Sequence, residues 1–388
     1  MYQSKVFKLI LATLTAVSLS ELATNHLVTA NPQPTQPLVI TANPTEFDQN
    51  QARRWTDSAK FMAGIAVESD SHLYQLQQTQ AWQNHQNFLN NAWNQLETQQ
   101  LSKVRNWSDS ELSNINQGNP VVFYPFSGPD FLYAYSFFPT GREYVLIGLE
   151  PIGWIPPFTE LSPTENDAKL TQLRDSLQAI LQWSFFRTND MKVDMAQQGV
   201  LPYIFMFMAR TNNQILDVQY VGIDTNATIQ PFTEGMIPGV RIIFLPQGES
   251  ETKTLYYFST DLSDGGLSGN PQFLEYIKTL DSPVTYLKAA SYLMHYDYFS
   301  LIRNAILAQS EYILQDDSGM PVRYVNNGEW DLQFYGTYTG PISLFSNMYQ
   351  PDLREIYQNN PNIQPLDFGV GYKFGVNESN LMLGTRKE

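Results

Sequence analysis

Residues 119–139 read Asn-Pro-Val-Val-Phe-Tyr-Pro-Phe-Ser-Gly-Pro-Asp-Phe-Leu-Tyr-Ala-Tyr-Ser-Phe-Phe-Pro, and residues 143–154 read Glu-Tyr-Val-Leu-Ile-Gly-Leu-Glu-Pro-Ile-Gly-Trp. Aromatic, Gly and Pro residues are concentrated here around few charges. Apolar runs separated by Gly and Pro are typical of buried strands joined by turns. The stretch therefore predicts the centre of a sheet: a strand, an apolar segment and a second strand joined by turns, with a polar turn at Ser127–Asp130 in the middle.

The composition is that of a folded protein with one large domain or two smaller ones: 388 residues, 43% of them hydrophobic and 16% charged. The net charge of −15 at pH 7 repels phosphate backbones and anionic lipid headgroups. We therefore expect neither nucleic acid nor a membrane surface as a partner. The chain has no cysteine, which excludes thiolate catalysis, disulfides and Cys-ligated metals.

Residues 1–30 have the layout of a secretory signal peptide. Lys5 and Lys8 form a basic start, residues 9–19 form an apolar run, and Val28-Thr-Ala30 places small residues before a cleavage point. The apolar run is shorter than the about 20 residues that cross a bilayer. A short buried helix is the alternative interpretation of this segment.

The rest of the chain predicts a Pro-rich spacer at 31–49 and a single globular domain at 50–388, with a candidate sub-boundary near 156–163. We expect the mature protein to be exported to the periplasm or the cell exterior, without a membrane span. The sequence gives no indication of the oligomeric state.

Three segments carry helical patterns. Apolar residues recur every three or four positions between 50 and 117, and Ser162-Pro-Thr-Glu165 has the residues of a capping box at a helix start. From Pro283 to Gln315, apolar residues recur on all sides, which predicts one long buried helix. The polar exceptions in that segment are the informative positions: Lys288, His295, Asp297 and Arg303.

Strand patterns occupy most of the remaining chain. They predict strands at 203–208 and 215–223, a hairpin formed by 240–245 and 254–259, and C-terminal strands at 366–372 and 379–386. The sequence therefore predicts an α+β fold, in which an N-terminal helical layer packs on a largely antiparallel, aromatic-rich sheet with one long buried helix.

Candidate catalytic residues fall in two places, since the chain lacks the standard nucleophile, phosphate-binding and zinc motifs. Asp130 lies in the polar turn after the first predicted strand. His295, Asp316, Asp317 and Arg323 lie in or beyond the predicted long helix, where a histidine oriented by carboxylates can act as a base. The structural alternatives are a turn capped by Asp130, a buried histidine, and a carboxylate–arginine clamp at the helix end.

A metal site is a weaker candidate. Asp261 and Asp264 lie in a loop whose spaced side-chain oxygens suit Ca²⁺, although the spacing is not that of an EF-hand. A plain Asx-rich turn explains the same residues. We predict no cofactor.

Three blocks of the chain, at 123–150, 316–324 and 330–350, resemble an uncharacterised family of exported bacterial proteins. The resemblance covers most of the chain beyond residue 119 and implies a bacterial envelope setting. It implies no activity, cofactor or catalytic residue.

Two hypotheses about function follow. The first is a non-catalytic exported envelope protein that binds an unknown ligand or protein partner, because many aromatic residues accompany no catalytic motif. The alternative is a secreted hydrolase that uses the carboxylates of Asp316, Asp317 and Asp130, with His295. A purely architectural envelope component is a third option, and it would have no concave pocket.

Overall fold

A ten-stranded mixed sheet runs through the part of the chain that the computed structural model describes, residues 47–183, 198–375 and 377–387. Its strands are β1 (Val121–Tyr124), β2 (Glu143–Gly148), β3 (Asn213–Ile223), β4 (Ile229–Pro231), β5 (Ile237–Pro246), β6 (Lys253–Ser259), β7 (Val284–Leu287), β8 (Tyr312–Gln315), β9 (Trp330–Gly336) and β10 (Asn380–Arg386). They lie in the order β4-β3-β5-β6-β2-β1-β7-β8-β10-β9.

The five central strands are parallel to one another, and the outer strands on both sides are antiparallel. The predicted mixture of helices and sheet is present, but the sheet is mixed instead of largely antiparallel. The signal for parallel strands was the unbroken apolar run of β1, whose four residues are all buried. Strands covered on both faces lose the alternation of apolar and polar residues.

Numbered along the chain, the parallel strands β1, β2, β6, β7 and β8 lie in the spatial order 3-2-1-4-5. Helices of the first two connections pack on one face of the sheet, and helices of the last two connections pack on the other. The centre of the molecule is therefore a doubly wound α/β arrangement. The neighbours β1 and β7 mark the point where the chain changes from one face to the other.

The first face carries most of the helices. Val122 and Tyr124 of β1 point into this layer. Its helices are α1 (Gln49–Met62), α2 (Gln80–Leu96), α3 (Ser102–Glu111), α4 (Ser113–Gln117), α5 (Phe131–Phe137), α6 (Pro163–Trp183) and α7 (Leu201–Arg210). The expected capping box begins α6, because the Ser162 hydroxyl accepts from the Glu165 amide and the Glu165 carboxylate accepts from the Ser162 amide.

The second face is covered by shorter helices. Val121 and Phe123 of β1 point into this layer. Its helices are α8 (Asp264–Gly269), α9 (Gln272–Ile277), α10 (Ser300–Gln309) and α11 (Pro351–Asn359). Short 3₁₀ segments occur at Leu76–Gln78, Ala289–His295, Asp297–Phe299, Val322–Tyr324 and Ser343–Met348, and a π turn at Glu97–Leu101 joins α2 to α3.

The predicted long helix from Pro283 to Gln315 is wrong. The segment forms β7, 3₁₀ turns, α10 and β8. Apolar residues on all sides fit a pair of buried parallel strands joined by a helix as well as they fit one buried helix. The run Val284–Leu287, with its β-branched and aromatic residues, was the strand signal.

Two other segments form a different secondary structure from the one that the sequence predicts. Residues 203–208 lie in α7 instead of a strand, because they belong to a run of nine buried residues, 201–209, that has the helix-starting Pro202 at its beginning. The apolar segment between β1 and β2 is the helix α5, whose first turn is capped by Asp130. Within the described residues, 366–372 contributes to one isolated bridge, Val370 with Lys373, and forms no strand.

The predicted strands of the antiparallel regions are confirmed. They correspond to β3, to the β5–β6 hairpin and to β10. Residues Phe47–Glu388 form one compact unit. The predicted signal peptide lies outside the described residues, and so do all but the last three residues of the predicted spacer. Among the described residues, no helix is long and apolar enough to cross a membrane.

Candidate functional site

Four charged residues follow the carboxyl ends of the central parallel strands. Asp130 lies in the loop after β1, Lys288 directly follows β7, and Asp316 and Asp317 directly follow β8. In open α/β sheets, ligands bind outside the carboxyl ends of the strands, where the strand order reverses. These four residues, here called the carboxyl-edge cluster, therefore lie where the fold places a site.

A buried ion pair forms the first half of the cluster. The Lys288 ammonium lies 2.6 Å from a carboxylate oxygen of Asp130, and the two side chains are 2% and 4% exposed. The Tyr124 hydroxyl donates to the same oxygen at 3.0 Å, and the Tyr133 amide donates to the other at 3.2 Å. Burial raises the pKa of Asp130 and lowers that of Lys288, while their mutual attraction opposes both shifts.

The adjacent carboxylates of Asp316 and Asp317 form the second half. Asp316 accepts hydrogen bonds from the amide and the hydroxyl of Ser318. Asp317 accepts from the Tyr292 hydroxyl at 2.6 Å and from the Asn380 side chain at 3.2 Å. Burial raises the pKa of Asp316 to about 7, with the charge of Asp317 as the second cause.

A second lysine faces the same carboxylates from the C-terminal part of the chain. The Lys373 ammonium donates to the Thr339 hydroxyl at 2.8 Å and to the Gly340 carbonyl. The charge of Asp317 opposes the desolvation that lowers the pKa of Lys373. Among the buried groups, three carboxylates thus face two ammonium groups, so one bound proton balances their charges, while the exposed carboxylate of Glu378 also acts on Lys373.

Aromatic side chains cover the cluster. The Tyr292 ring stacks on Phe345 at 4.6 Å and lies 6.1 Å from the ring of Tyr372, measured between centroids. Phe345 and Tyr372 are half-buried, and they belong to the segments 337–350 and 367–375, here called the cover. The cluster therefore lies beneath two aromatic side chains that are themselves partly exposed to solvent.

Two non-glycine residues beside the cluster have a left-handed backbone. Phe126, in the loop after β1, has φ 62°, and Ala289, directly after Lys288, has φ 58°. Such conformations cost about 1–3 kcal/mol each and are concentrated at functional sites. The fold keeps both strained residues where the charged side chains converge.

The structure brings together three of the candidate carboxylates, Asp130, Asp316 and Asp317. His295 lies beside them, with its ring 5.3 Å from that of Tyr292 and its Nε2 2.9 Å from the Gly319 carbonyl. Burial lowers the pKa of His295 to about 4. The imidazole is therefore neutral at pH 7 and donates its Nε2 proton to Gly319.

Arg323 is not part of this group. Its guanidinium is exposed and lies 4.9 Å from the ring centroid of Tyr324. The carboxylate–arginine clamp is therefore absent from the described ion pairs, and lysines supply the positive charge instead. The Ser127 hydroxyl also points elsewhere, because it donates to the Ile147 carbonyl at 3.1 Å and fastens the loop to β2.

The two candidate metal ligands have structural contacts. Asp261 accepts from the amide and the hydroxyl of Ser263, and Asp264 accepts from the Ser300 hydroxyl and the Leu301 amide at the start of α10. Across the described parts of the chain, no group of three or more His, Cys, Asp or Glu side chains is arranged to hold a metal ion.

A shallow depression of about 310 Å³ lies further along the same edge, beyond β2 and β6. It is lined by residues that include Leu149, Ser259 and Asp261. None of the cluster residues lines it. The edge therefore presents a closed charged cluster and, separately, an open and largely uncharged hollow.

Sequence reasoning missed Lys373 and Tyr292 as site residues, and it noted Lys288 without a partner. The position of Lys288 indicated a site residue, since a charged side chain directly after a buried apolar run needs a partner. Lys373 and Tyr292 carried none, because only the fold brings them to β8. Comparison with known proteins does not add to the site: no family model matches the chain, and neither a curated protein nor a solved structure is similar to it.

Proposed function

We propose that the protein is an exported hydrolase that uses the carboxyl-edge cluster for acid–base catalysis. One observation carries the proposal: three buried carboxylates, one of them ion-paired with a buried lysine, lie at the crevice position of a doubly wound sheet. Buried charges are costly to maintain, and such groups with shifted pKa values are concentrated at active sites.

The proposed base is Asp316. A carboxyl whose pKa lies near 7 is present in both protonation states at neutral pH, which suits a group that must accept and return a proton. In hydrolysis, the ionised carboxylate takes a proton from water while the water oxygen bonds to the substrate. The leaving group then receives a proton from a protonated neighbour, for which Asp317 is the nearby acid, since Asp130 is ion-paired with Lys288.

The other residues have supporting roles in this proposal. Lys288 compensates negative charge, and the Tyr292 hydroxyl holds Asp317 in place. His295 is a positioning residue, because its ring nitrogen bonds to the Gly319 carbonyl in the turn after Asp317. The cover must move for a substrate to reach the carboxylates.

The test is a turnover screen with chromogenic esters, amides, glycosides and phosphate esters. We expect one class to be hydrolysed by the wild-type protein, and Asp316→Asn and Asp317→Asn to lower kcat by about 10²-fold or more. Asp281→Asn is the control, since Asp281 is exposed and lies at the opposite edge of the parallel strands. Equal turnover in all four proteins would exclude the cluster as the active site.

A second function is favoured by a different observation, the open hollow beyond β2 and β6. A non-catalytic envelope protein would bind its ligand there and keep the charged cluster as a structural network. In that case no substrate class is hydrolysed, and substitutions in the hollow, such as Ser259→Trp, abolish ligand-induced thermal stabilisation while Asp316→Asn does not.

Export is part of both proposals, and the N-terminal pattern at 1–30 supports it. The test is expression of the full chain in a bacterial host followed by mass spectrometry of the exported protein. We expect a mature N-terminus at or before Asn31. A protein that stays in the cytoplasm with residues 1–30 intact would contradict export.

A further inference from the structure

Tyr286, in the centre of β7, has a buried hydroxyl for which the described residues supply no hydrogen-bond partner. The side chain is 0% exposed, and its oxygen makes no hydrogen bond to any described residue. A buried polar group without a partner costs about 1–3 kcal/mol, so proteins rarely retain one without a reason.

The hydroxyl belongs to the surroundings of the cluster. The Tyr286 ring lies 4.6 Å from the ring of Tyr124, whose hydroxyl donates to Asp130. The main chain of Asp316 bonds to that of Leu287, the residue after Tyr286, so β7 and the second carboxylate are also adjacent. The charges of Asp130 and Asp316 contribute to raising the pKa of Tyr286, after the larger effect of burial.

The chemistry of these neighbours limits what the hydroxyl can bind. A group between the Tyr286 hydroxyl and an ionised carboxylate donates a hydrogen bond to the carboxylate and can accept one from the tyrosine. A hydroxyl does both, whereas a carbonyl only accepts. A further cation is not required, because Lys288 and Lys373 already compensate the carboxylates once Asp316 holds a proton.

We propose that the Tyr286 hydroxyl, with the carboxyl groups of Asp130 and Asp316, forms a subsite for one neutral hydroxyl group. The group is either a water molecule or an alcohol of the substrate, and its identification as a reactant rests on the proposed hydrolase function. Tyr286 is then a binding residue of the site in addition to a core residue of the sheet.

Tyr276 in α9 provides a matched control. Its hydroxyl is also buried and also lacks a hydrogen bond among the described residues. Its ring packs against Phe258 and Phe273 on the other face of the sheet, away from the cluster. Removal of the Tyr276 hydroxyl therefore shows what the loss of a buried tyrosine hydroxyl does at a position away from the cluster.

The first experiment is crystallography of the wild-type protein, once without any alcohol and once with glycerol. An oxygen within about 3.2 Å of the Tyr286 hydroxyl in the alcohol-free crystal identifies water as the occupant. An oxygen that is present only with glycerol identifies a substrate alcohol. A hydroxyl with no such neighbour in either crystal overturns the subsite.

The second experiment compares Tyr286→Phe with Tyr276→Phe. We expect Tyr286→Phe to lower turnover of the substrate found in the screen by about fivefold or more at an unchanged circular dichroism spectrum. Tyr276→Phe should leave turnover unchanged. Equal turnover in both variants contradicts the role of Tyr286.

The two proposals can fail separately. If the screen finds no substrate, the hydrolase proposal fails, and the crystals alone decide whether Tyr286 binds a hydroxyl. If turnover depends on Asp316 but not on Tyr286, the hydrolase proposal stands and the subsite fails.

Discussion

The two edges of the parallel strands carry the same kind of interaction in opposite surroundings. At the carboxyl edge, the Lys288–Asp130 pair is 2.6 Å long and 2% and 4% exposed. At the amino edge, Arg142 and Asp281 form a pair of 2.9 Å whose side chains are 48% and 80% exposed. The first pair joins the loops after β1 and β7, and the second joins the loops before β2 and β7, so both pairs link neighbouring connections of the parallel sheet.

The difference shows that burial, not distance, decides what an ion pair does. An exposed pair exchanges contacts with water for contacts with each other and contributes about 0–1 kcal/mol. A buried pair is costly to form, and removal of one partner leaves an unpaired charge. A protein has little reason to retain the buried arrangement for stability alone, which is why the carboxyl edge is the candidate site.

The largest expected effect comes from removal of the buried cation. Lys288→Met should lower the free energy of unfolding by about 3–5 kcal/mol, because Asp130 remains buried beside Tyr124 without its counter-charge. Urea denaturation at pH 7 measures the change. A loss below about 1 kcal/mol would mean that solvent reaches the pair in solution.

Gly371 in the cover tests how closely the cover packs on the cluster. Its φ is +60°, and a Cβ there would overlap a carboxylate oxygen of Asp316. Gly371→Ala should therefore lower the free energy of unfolding by about 2–3 kcal/mol. Gly248→Ala is the control in the β5–β6 turn, where φ is +86° with nothing within 4 Å of the added carbon, and it should show only the smaller cost of the backbone conformation. Equal losses would argue against close packing of the cover.

The pH dependence of stability tests the protonation of Asp316. Its pKa is about 7 in the folded protein and about 4 when unfolded, so between these values the folded state binds more protons. This group therefore lowers stability as pH rises from about 4 to about 7. Asp316→Asn should remove that contribution, so its stability relative to the wild type should rise by about 3 kcal/mol over the same range.

The stability of Asp316→Asn must be compared with that of the wild type at each pH, because the buried histidines make stability rise with pH whereas Asp316 makes it fall. Burial lowers the pKa of both His85 and His295 to about 4, so their contribution to stability is lost as pH falls from 6.5 toward 4. Denaturation curves of both proteins at pH 4.5, 6 and 8 separate the effects. A constant difference between the two proteins would show that Asp316 does not titrate in this range.

The smallest effect is expected at the amino edge. Arg142→Met should change the free energy of unfolding by about 0.5 kcal/mol or less, since water replaces the lost contact with Asp281. The same urea titration as for Lys288→Met measures it. A loss comparable to that of Lys288→Met would contradict the contrast between the two edges.

Much of the local structure was readable from the chain. The capping box at Ser162 begins a helix, and the antiparallel strands with clear turns lie where their patterns predict. The parallel centre was not readable, because buried parallel strands and buried helices share the same unbroken apolar runs. For that reason residues 284–287 and 312–315 were assigned to one helix instead of two strands.

The candidate site was likewise predictable in part: its carboxylates were identified from the sequence, but their arrangement was not. The residue types at Asp130, Asp316 and Asp317 marked them from the sequence alone, since carboxylates next to apolar runs need a partner. Their convergence required the parallel order of β1, β7 and β8, which sets three distant loops side by side. The choice of Lys288 over Arg323 as the counter-charge also depends on that order.

The sequence by itself determined the absence of thiol chemistry, the acidic surface and the helix caps, because each depends on composition or on residues a few positions apart. Only the tertiary structure decided that Ser127 fastens a loop while Asp130 joins a charged cluster, and that Tyr286 packs on Tyr124 beside that cluster. The reason is that sequence spacing specifies local hydrogen bonds, whereas burial and long-range charge pairing depend on which strands become neighbours.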